Sequence, residues 1–228
     1  MLEHLVHCRE SEVDVVMEAL GSTYLLDWSR DFIFYYLPDH LLQLIQGLVT
    51  ERDVQNSVIK LSPNNVYVAS TMQEDVKCPE DVSICILGEA GVHKMVSTWV
   101  FHKNAVADPY LRLARDKLAL GVYTTPGTPI KSVDITNLPR AGDEELPLAW
   151  MTVKHWGDLG LMMTHEQHRR RGLGSLLIQA TAKLAEHHGY VGHACARDYN
   201  TASKNLMAQL GWKVTHRGTC LLRKCEKK

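Results

Sequence analysis

Near the C-terminal end of the chain, the arginine run Arg169–Arg171 is followed at once by two glycines, Gly172 and Gly174. A strand is predicted before this run, ending near Thr164, and an amphipathic helix after it, beginning near Leu173. Backbone N–H groups in the first turn of a helix have no partner within the helix, and glycine leaves them open to a ligand. The helix dipole and the guanidinium groups add positive charge at the same point. The run therefore predicts a site for an anion such as a diphosphate, where a strand leads into a helix.

The spacing of these glycines differs from two known phosphate-binding patterns. A dinucleotide fingerprint requires GxGxxG after a first strand, and a P-loop requires Gly-Lys-Ser or Gly-Lys-Thr. A nucleic-acid surface is not indicated either, because no aromatic residues interleave with the arginines. The alternative to an anion site is a solvated basic helix start.

Bulk properties are those of a soluble globular protein. At 228 residues, with 45% hydrophobic and 22% charged residues, the chain can form one large domain or two small ones. No apolar run approaches the roughly 20 residues that span a bilayer, and the N-terminus has neither a signal-peptide nor a transit-peptide pattern. Six scattered cysteines favour reduced thiols over disulfides. We expect a cytoplasmic or mitochondrial-matrix protein that does not contact a membrane.

Charge is divided unevenly along the sequence. Residues 1–100 contain 15 acidic residues against 6 Lys and Arg, which leaves 11 acidic residues and 19 Lys and Arg for residues 101–228. The basic part is the natural place for an anionic ligand, although such a division is often only solvated surface.

Periodicity and breakers predict an α/β (α+β) fold, with helices on a mixed, mostly antiparallel sheet. The acidic segment 73–81 is the predicted boundary between an N-terminal α/β region, 1–81, and a larger domain, 82–228. Residues 129–147 are predicted to form a long loop or an extra hairpin, and Asp39 to cap a helix. Helices are predicted at residues 10–21, 39–50, 89–99, 109–120, 173–188 and 201–210. Strands are predicted at residues 65–70, 82–87, 121–125, 148–155, 158–164 and 192–196, and residues 212–222 are predicted to form one bent strand or a hairpin.

The order strand, Arg169-x-x-Gly172-x-Gly174, helix, strand, then a helix after Asn200, resembles the GCN5-related N-acetyltransferase (GNAT) superfamily. The similarity is greatest to its glycine N-acyltransferase-like group, and it extends over about residues 82–228. It is carried by five stretches of the sequence: Ser97-Thr98-Trp99, Val122-Tyr123-Thr124-Thr125-Pro126-Gly127-Thr128-Pro129, Gly157-Asp158-Leu159-Gly160-Leu161, Glu166-x-x-Arg169-x-x-Gly172 and Asn200-Thr201-x-Ser203-x-Asn205.

The resemblance implies an acyl-CoA or acetyl-CoA co-substrate and direct transfer of the acyl group to an amine in a ternary complex. CoA would lie along the strand 158–164, with backbone N–H groups near Met162 and Met163 polarising the thioester carbonyl. The residues that the resemblance assigns to CoA are Met162, Met163, Thr164, Arg169, Arg170, Arg171, Gly172, Leu173, Gly174, Ser175 and Asn200.

Asp158 is the candidate catalytic base, because a glutamate stands at this point in the glycine N-acyltransferase-like group. An aspartate is shorter, so burial or a bridging water is needed for it to act, and the alternative is a turn residue beside Gly157. The neighbouring His165, Glu166 and His168 are further candidates for the base.

The resemblance also leaves the acid that protonates the leaving thiolate unassigned. Many superfamily members have a tyrosine where this chain has Met207, which cannot donate a proton. Tyr199 or water is the alternative. Asn200 can serve as a helix N-cap as well as a CoA contact, and Cys195 is a less favoured nucleophile because it falls in a predicted interior strand.

We expect an acyl-CoA-dependent N-acyltransferase acting on glycine or another small-molecule amine, as a monomer or weak homodimer and without nucleic acid. The N-terminal region 1–81 would cover the acceptor site. No metal is expected, because His187, His188 and His193 suit a helix end better than a metal site. The alternatives are an arylalkylamine or protein N-acetyltransferase and a non-catalytic acyl-CoA-binding module.

Overall fold

The computed structural model of the chain describes residues 2–6, 8–22, 26–52, 58–69, 75–99, 106–154 and 157–224. The chain forms two compact units. The first consists of Met1–Val66, Ala196–Thr201 and Val214–Lys228, and the second of Tyr67–Cys195 and Ala202–Lys213. The functional division at residues 81 and 82 stays a prediction.

The described residues form eleven strands and six α-helices. The strands are β1 (Leu2–Leu5), β2 (Phe32–Leu37), β3 (Val58–Val68), β4 (Lys77–Cys78), β5 (Val82–Ile86), β6 (Ala119–Thr124), β7 (Lys131–Ser132), β8 (Ala149–Val153), β9 (Asp158–Thr164), β10 (His193–Arg197) and β11 (Lys213–Lys224). The helices are α1 (Val13–Gly21), α2 (Asp39–Glu51), α3 (Glu89–Ser97), α4 (Asp108–Arg115), α5 (Leu173–His187) and α6 (Thr201–Gln209).

In the first unit, β2 pairs in parallel with β1 and antiparallel with β11. Parallel neighbours need a crossover connection, which α1 provides. The helix α2 presents Leu41, Ile45 and Val49 at a spacing of four residues, so they share the face that packs on β2. The helix begins after Pro38 in the N-cap position, so the prediction that Asp39 caps it is wrong, because Asp39 already lies in the first turn.

Three strands of this unit differ from the sequence prediction. No strand was predicted at β1 or β2. The strand predicted at residues 65–70 begins earlier, because β3 continues through Pro63 and Asn64 instead of turning there. Proline has no N–H to donate, but its carbonyl still accepts a hydrogen bond from the backbone N–H of Asp198. Residue 70 lies outside the described residues.

The second unit contains strands in the order β10-β9-β8-β6-β5. The pairs β9–β8, β8–β6 and β6–β5 are antiparallel, and β10–β9 is parallel. Trp150 and Met151, neighbours on β8, are each 1% exposed, so both faces of this strand are covered. Residues of α3 and α4 pack on the Trp150 face, and α5 packs on β6, β8 and β9. The predicted fold class, a mostly antiparallel sheet with flanking helices, is confirmed.

The predicted helix over residues 109–120 is wrong in its second half. The helix α4 ends at Arg115, and Lys117 has a φ of 62°, a left-handed conformation that stops a helix. The following residues form the start of β6 instead. The predicted loop at residues 129–147 contains the short strand β7, which pairs antiparallel with β4, and a 3-10 turn at Ile135–Asn137.

The strand and helix on either side of the predicted anion site have nearly the predicted bounds. The strand β9 has the predicted bounds, and α5 ends one residue before the predicted end, with Gly189 at a φ of 81° just after it. The hairpin between β8 and β9 is confirmed, with Gly157 at a φ of 91°. Residues 155–156 of this hairpin lie outside the described residues.

Candidate functional site

The arginine run forms an exposed turn at the N-terminus of α5. A 3-10 turn at Glu166–His168 follows β9, and Arg170 and Gly172 then adopt left-handed conformations with φ of 62° and 75°. The helix begins at Leu173, directly after this turn. The predicted geometry, a basic turn outside the helix and at its positive end, is therefore present.

Three hydrogen bonds hold this turn and the residue that leads into it. The backbone N–H of His165 donates to the Leu148 carbonyl at 2.8 Å, and Arg169 Nε donates to the Thr164 carbonyl at 3.3 Å. Arg171 Nη1 lies 3.2 Å from His168 Nδ1. The Arg169 side chain thus helps to hold the turn against the end of β9. Among the described residues, neither Arg170 nor Arg171 makes a hydrogen bond to the end of this strand.

The two glycines of the turn differ in what their backbone requires. Gly172 has a positive φ that other residues adopt only with strain, although nothing lies within 4 Å of the Cβ that it lacks. Gly174 has no such φ, and among the described residues an added Cβ would meet Leu206 Cδ2 at 3.4 Å and Thr164 Oγ1 at 3.9 Å, which are ordinary contacts. Packing within the fold therefore does not require glycine at position 174. A ligand that approaches the backbone closely would require it.

The strand β9 contains a bulge in its middle. Opposite β8, Trp150 pairs with Met163 and Thr152 pairs with Gly160, so β9 holds one extra residue over this interval. Leu161, within the interval, has a φ of 52°. A bulge turns backbone groups out of the ladder, which is a common feature beside functional sites.

The ladder between β9 and β10 is short. In the part of the chain that the structure describes, it consists of the pairs Asp158/His193 and Leu159/Ala194, whereas β9 stays paired with β8 to Thr164. The second half of β9 therefore has one edge that lies outside this ladder.

The hydrogen-bond pattern of the β8–β9 ladder indicates which way the backbone groups of β9 residues face. The hydrogen bond from His165 N–H to the Leu148 carbonyl indicates, by the alternation of an antiparallel ladder, that Met163 turns its backbone groups toward β8. Thr164 then turns its backbone groups to the opposite edge, whereas Met162 lies within the bulge, where this alternation is interrupted. The side chains of all three β9 residues are half-buried.

Asp158, the predicted base, is the first residue of β9 and is 1% exposed. Its Oδ2 lies 2.9 Å from the Nζ of Lys154, which is 9% exposed. The backbone closes the same short segment, because Lys154 N–H donates to the Asp158 carbonyl and Gly157 N–H donates to the Lys154 carbonyl, each at 2.8 Å. Asp158 is thus an ion-paired buried carboxylate and not an exposed turn residue.

The other candidate acid–base residues lie in different settings. His165 and Glu166 are exposed, and Glu166 Oε1 is 3.8 Å from Arg169 Nη1 in an exposed ion pair. Tyr199 is 69% exposed and its Oη accepts a hydrogen bond from Arg197 Nη1 at 3.0 Å. All three side chains are exposed, whereas Asp158 is buried.

Two further predicted residues flank or lie within α6. Asn200 is half-buried and immediately precedes the helix, in the Ala196–Thr201 segment of the first unit. Its contact with CoA stays a prediction. Met207 is 4% exposed, so this position offers an apolar side chain to the core and no proton.

Sequence reasoning missed Lys154 and Gly160 as parts of this site. The signal for Lys154 was its opposite charge to Asp158, four residues away across a tight hairpin. Gly160 gave no local signal, since what it accommodates comes from the neighbouring strand. A Cβ at Gly160 would lie 2.2 Å from Lys154 Cε.

Comparisons with known proteins indicate the fold to which this chain belongs. A family model described as FR47-like protein matches residues 140–221, which includes β8, β9, the basic turn and α5. A Drosophila protein of known crystal structure is 18% identical, with 90% of this chain and 64% of that chain covered and a TM-score of 0.69. A GCN5-related N-acetyltransferase from Sphaerobacter thermophilus is 14% identical, with 92% and 64% covered and a TM-score of 0.54. The chain has the GNAT fold.

A further structure, described as a putative acetyltransferase from the GNAT family of Novosphingobium aromaticivorans, is 17% identical, with 75% of this chain and 68% of that chain covered and a TM-score of 0.52. These matches and the FR47-like match support the superfamily resemblance seen in the sequence. The chain spans 64% of the length of the Drosophila protein. No curated protein matches it significantly in sequence.

Neither a metal-binding cluster nor a membrane-spanning helix is present among the residues that the structure describes. No three His, Cys, Asp or Glu side chains there converge as ligands for a metal ion. Among the same residues, no helix combines the length and apolar character needed to cross a bilayer.

Proposed function

We propose that this chain is a GNAT-superfamily N-acyltransferase that transfers an acyl group from acyl-CoA to the amino group of glycine or another small amino acid. One observation carries the proposal: over the residues that the structure describes, the β9–β10 ladder ends at Leu159, and β9 then bulges at Leu161 before the basic turn at the start of α5. A strand edge that lies outside the ladder suits the two amides of pantetheine, and the turn suits the diphosphate at the other end.

The diphosphate of CoA would bind at the basic turn. Its oxygens would accept hydrogen bonds from the first N–H groups of α5, beside Gly172 and Gly174, and from the guanidinium groups of Arg170 and Arg171. The bare Cα of Gly174 supports this placement, since no neighbour in the fold requires it. Ser175 follows in the same first turn and presents a further N–H.

The thioester carbonyl would lie at the bulge. The N–H of Met162, a residue of the bulge, would donate to the carbonyl oxygen as negative charge develops during attack. The half-buried Met162 and Met163 side chains keep this part of the strand apolar, which strengthens such a hydrogen bond.

The attacking amine is mostly protonated at neutral pH, so a base must accept a proton before or during attack. Asp158 lies four residues before Met162 on the same strand, and we assign it this role. Because its side chain is 1% exposed, the proton would pass through a water molecule. The thiolate that leaves would take its proton from solvent, since Met207 has none to give.

The small amino acid is proposed on the likeness of this sequence to the glycine N-acyltransferase-like group, at the Gly157–Leu161 stretch above all. A second candidate, a non-catalytic acyl-CoA-binding module, is favoured by the buried Met207 in place of an acid. Arylalkylamines and protein lysines are the other acceptors to be compared.

The test is release of free thiol from acetyl-, benzoyl- and longer acyl-CoA, with glycine, other amino acids, arylalkylamines and lysine peptides as acceptors. Calorimetric titration with CoA runs in parallel. Thiol release that depends on a small amino acid supports the proposal, and preference for another amine corrects the acceptor. CoA binding without thiol release for any amine supports the binding module, and absence of both overturns the proposal.

A further inference from the structure

Lys154 is a buried lysine whose charge is paired with a buried carboxylate. It follows β8, is 9% exposed, and directs its ammonium at Asp158, with 2.9 Å between Nζ and Oδ2. Burying two charges costs more free energy than a pair of apolar residues of similar size, so such pairs are weak evidence for stability as their purpose.

The surroundings of Lys154 are adapted to its side chain. Gly160 lacks the Cβ that would lie 2.2 Å from Lys154 Cε and 2.9 Å from Nζ, so the lysine crosses β9 directly over this glycine. The ammonium also lies 6.0 Å from the centre of the Trp99 ring, at the limit of a cation–π contact. A carboxylate, a bare Cα and an aromatic ring thus define one position for the ammonium.

We infer that Lys154 is a positioning residue for the reaction proposed above: its ammonium fixes the Asp158 carboxylate in place and keeps it ionised until it accepts the proton from the amine. This inference rests on the proposed function. A carboxylate in apolar surroundings takes up a proton to escape the penalty of a buried charge, and a neighbouring cation offsets that penalty. Lys154 acts through Asp158 and touches neither the acyl group nor the amine.

Among the described residues, another titratable side chain is brought to this pair by the β9–β10 ladder. His193 pairs with Asp158 across β9 and β10, and its Nδ1 hydrogen-bonds to the Val191 carbonyl at 2.9 Å. Replacement of His193 by Gln is therefore included, so that an effect of this imidazole on the pH profile is separated from that of Lys154.

The experiment measures kcat, KM and acyl-CoA affinity across pH for the wild type, Lys154→Met, Lys154→Arg, Asp158→Asn and the double variant Lys154→Met with Asp158→Asn. Lys131→Met, at an exposed lysine of β7, is the matched control. Circular dichroism and thermal unfolding check each variant. The double variant contains no buried charge at either position, so it keeps the test available where Lys154→Met does not fold.

We expect the acid limb of the kcat profile of Lys154→Met to move to higher pH by roughly one to three units, with kcat largely regained at high pH and acyl-CoA affinity unchanged. Lys154→Arg should restore much of the wild-type profile. Asp158→Asn should lower kcat by about 100-fold, and adding Lys154→Met to it should change kcat by less than about 2-fold.

A Lys154→Met profile with an unmoved acid limb, or an equal loss of kcat in the Asp158→Asn background, would overturn the inference. Either result leaves the proposed function intact, because the wild type still transfers the acyl group. Absence of turnover in the wild type with every amine is the separate failure of the proposed function.

Discussion

Lys154 and Asp158 form an ion pair inside the β8–β9 hairpin, with 2.9 Å between the ammonium nitrogen and a carboxylate oxygen and less than a tenth of either side chain exposed. The strand β9 begins at Asp158 and reaches the basic turn through the bulge at Leu161. The pair therefore sits at one end of the strand along which we place the acyl donor, and the arginines sit at the other.

Removing one member of this pair should destabilise the fold strongly. Lys154→Met leaves a buried carboxylate without its ammonium, and we expect a loss of about 3–5 kcal/mol in the free energy of unfolding. Lys154→Met combined with Asp158→Leu should recover most of that loss, because neither charge is then buried. Urea denaturation of the wild type, Lys154→Met, Asp158→Leu and the double variant measures the loss and its recovery. Equal stability of Lys154→Met and the double variant would contradict the prediction.

Gly172→Glu should abolish CoA binding, because it places bulk and a negative charge where the diphosphate is proposed to bind. Gly172 has a φ of 75°, so part of any effect comes from backbone strain, which costs about 1–2 kcal/mol for other residues. Gly172→Ala carries the same strain without charge and is the matched control. Calorimetric titration with CoA compares them, and similar affinities for the two variants would place the diphosphate elsewhere.

Arg170→Gln should weaken CoA binding by roughly 5- to 10-fold, since one charge-assisted hydrogen bond is worth about 1–1.5 kcal/mol at an exposed site. The loss should shrink as salt is raised, because added ions screen exposed charges. Arg115→Gln, at an exposed arginine at the end of α4, should leave the affinity unchanged. Titrations at two ionic strengths measure this, and equal loss in both variants would indicate a general charge effect.

Gly160→Ala should lower stability, although it adds only a methyl group. The methyl would meet Lys154 Cε at 2.2 Å, and the lysine can move away only by leaving Asp158. We expect a loss of about 1–3 kcal/mol in the free energy of unfolding. The acid limb of the kcat profile should also move to higher pH, as expected for Lys154→Met. Gly47→Ala, in the exposed part of α2 with nothing within 4 Å of the new Cβ, should instead gain up to about 1 kcal/mol. Thermal unfolding distinguishes the two.

Tyr123 should make stability depend on pH in the alkaline range. Burial raises the pKa of its phenol, whereas the unfolded chain ionises its tyrosines near a pKa of about 10. The folded state therefore keeps a proton that the unfolded state loses, so this stabilisation is present below about pH 10 and is lost as the pH rises further. Urea midpoints from about pH 9 to 11 should fall more steeply for the wild type than for Tyr123→Phe.

The basic turn could be predicted from the sequence because its signals are local. The spacing of Leu173, Leu176, Leu177 and Ala180 defines one face of a helix, and glycine before that face marks its start. The bounds of β9 followed from the same helix and from the Gly157 turn. These features depend on residues close in sequence, so a single chain is enough to read them.

The bulge and the ion pair depend on neighbours across the sheet, which a single sequence does not show. The register between β8 and β9 decides where the extra residue at Leu161 falls, and no residue type marks it. The apolar residues around Leu118 and Leu120 fit a helix or a strand, and the left-handed Lys117 decides for a strand. The strand β2 is a continuous apolar run from Phe32 to Leu37, a composition from which a buried strand could have been predicted.

The turn before α5 is held in shape by its own bonds. Arg170 and Gly172 already have the left-handed backbone that the curve requires, and Arg169 and His165 fasten it to the end of the sheet. An anion that arrives there would find its donors preorganised, so little conformational entropy would be lost on binding. Association would then be governed by how fast the nucleotide diffuses to the positive helix end, and residence time by the contacts along the strand.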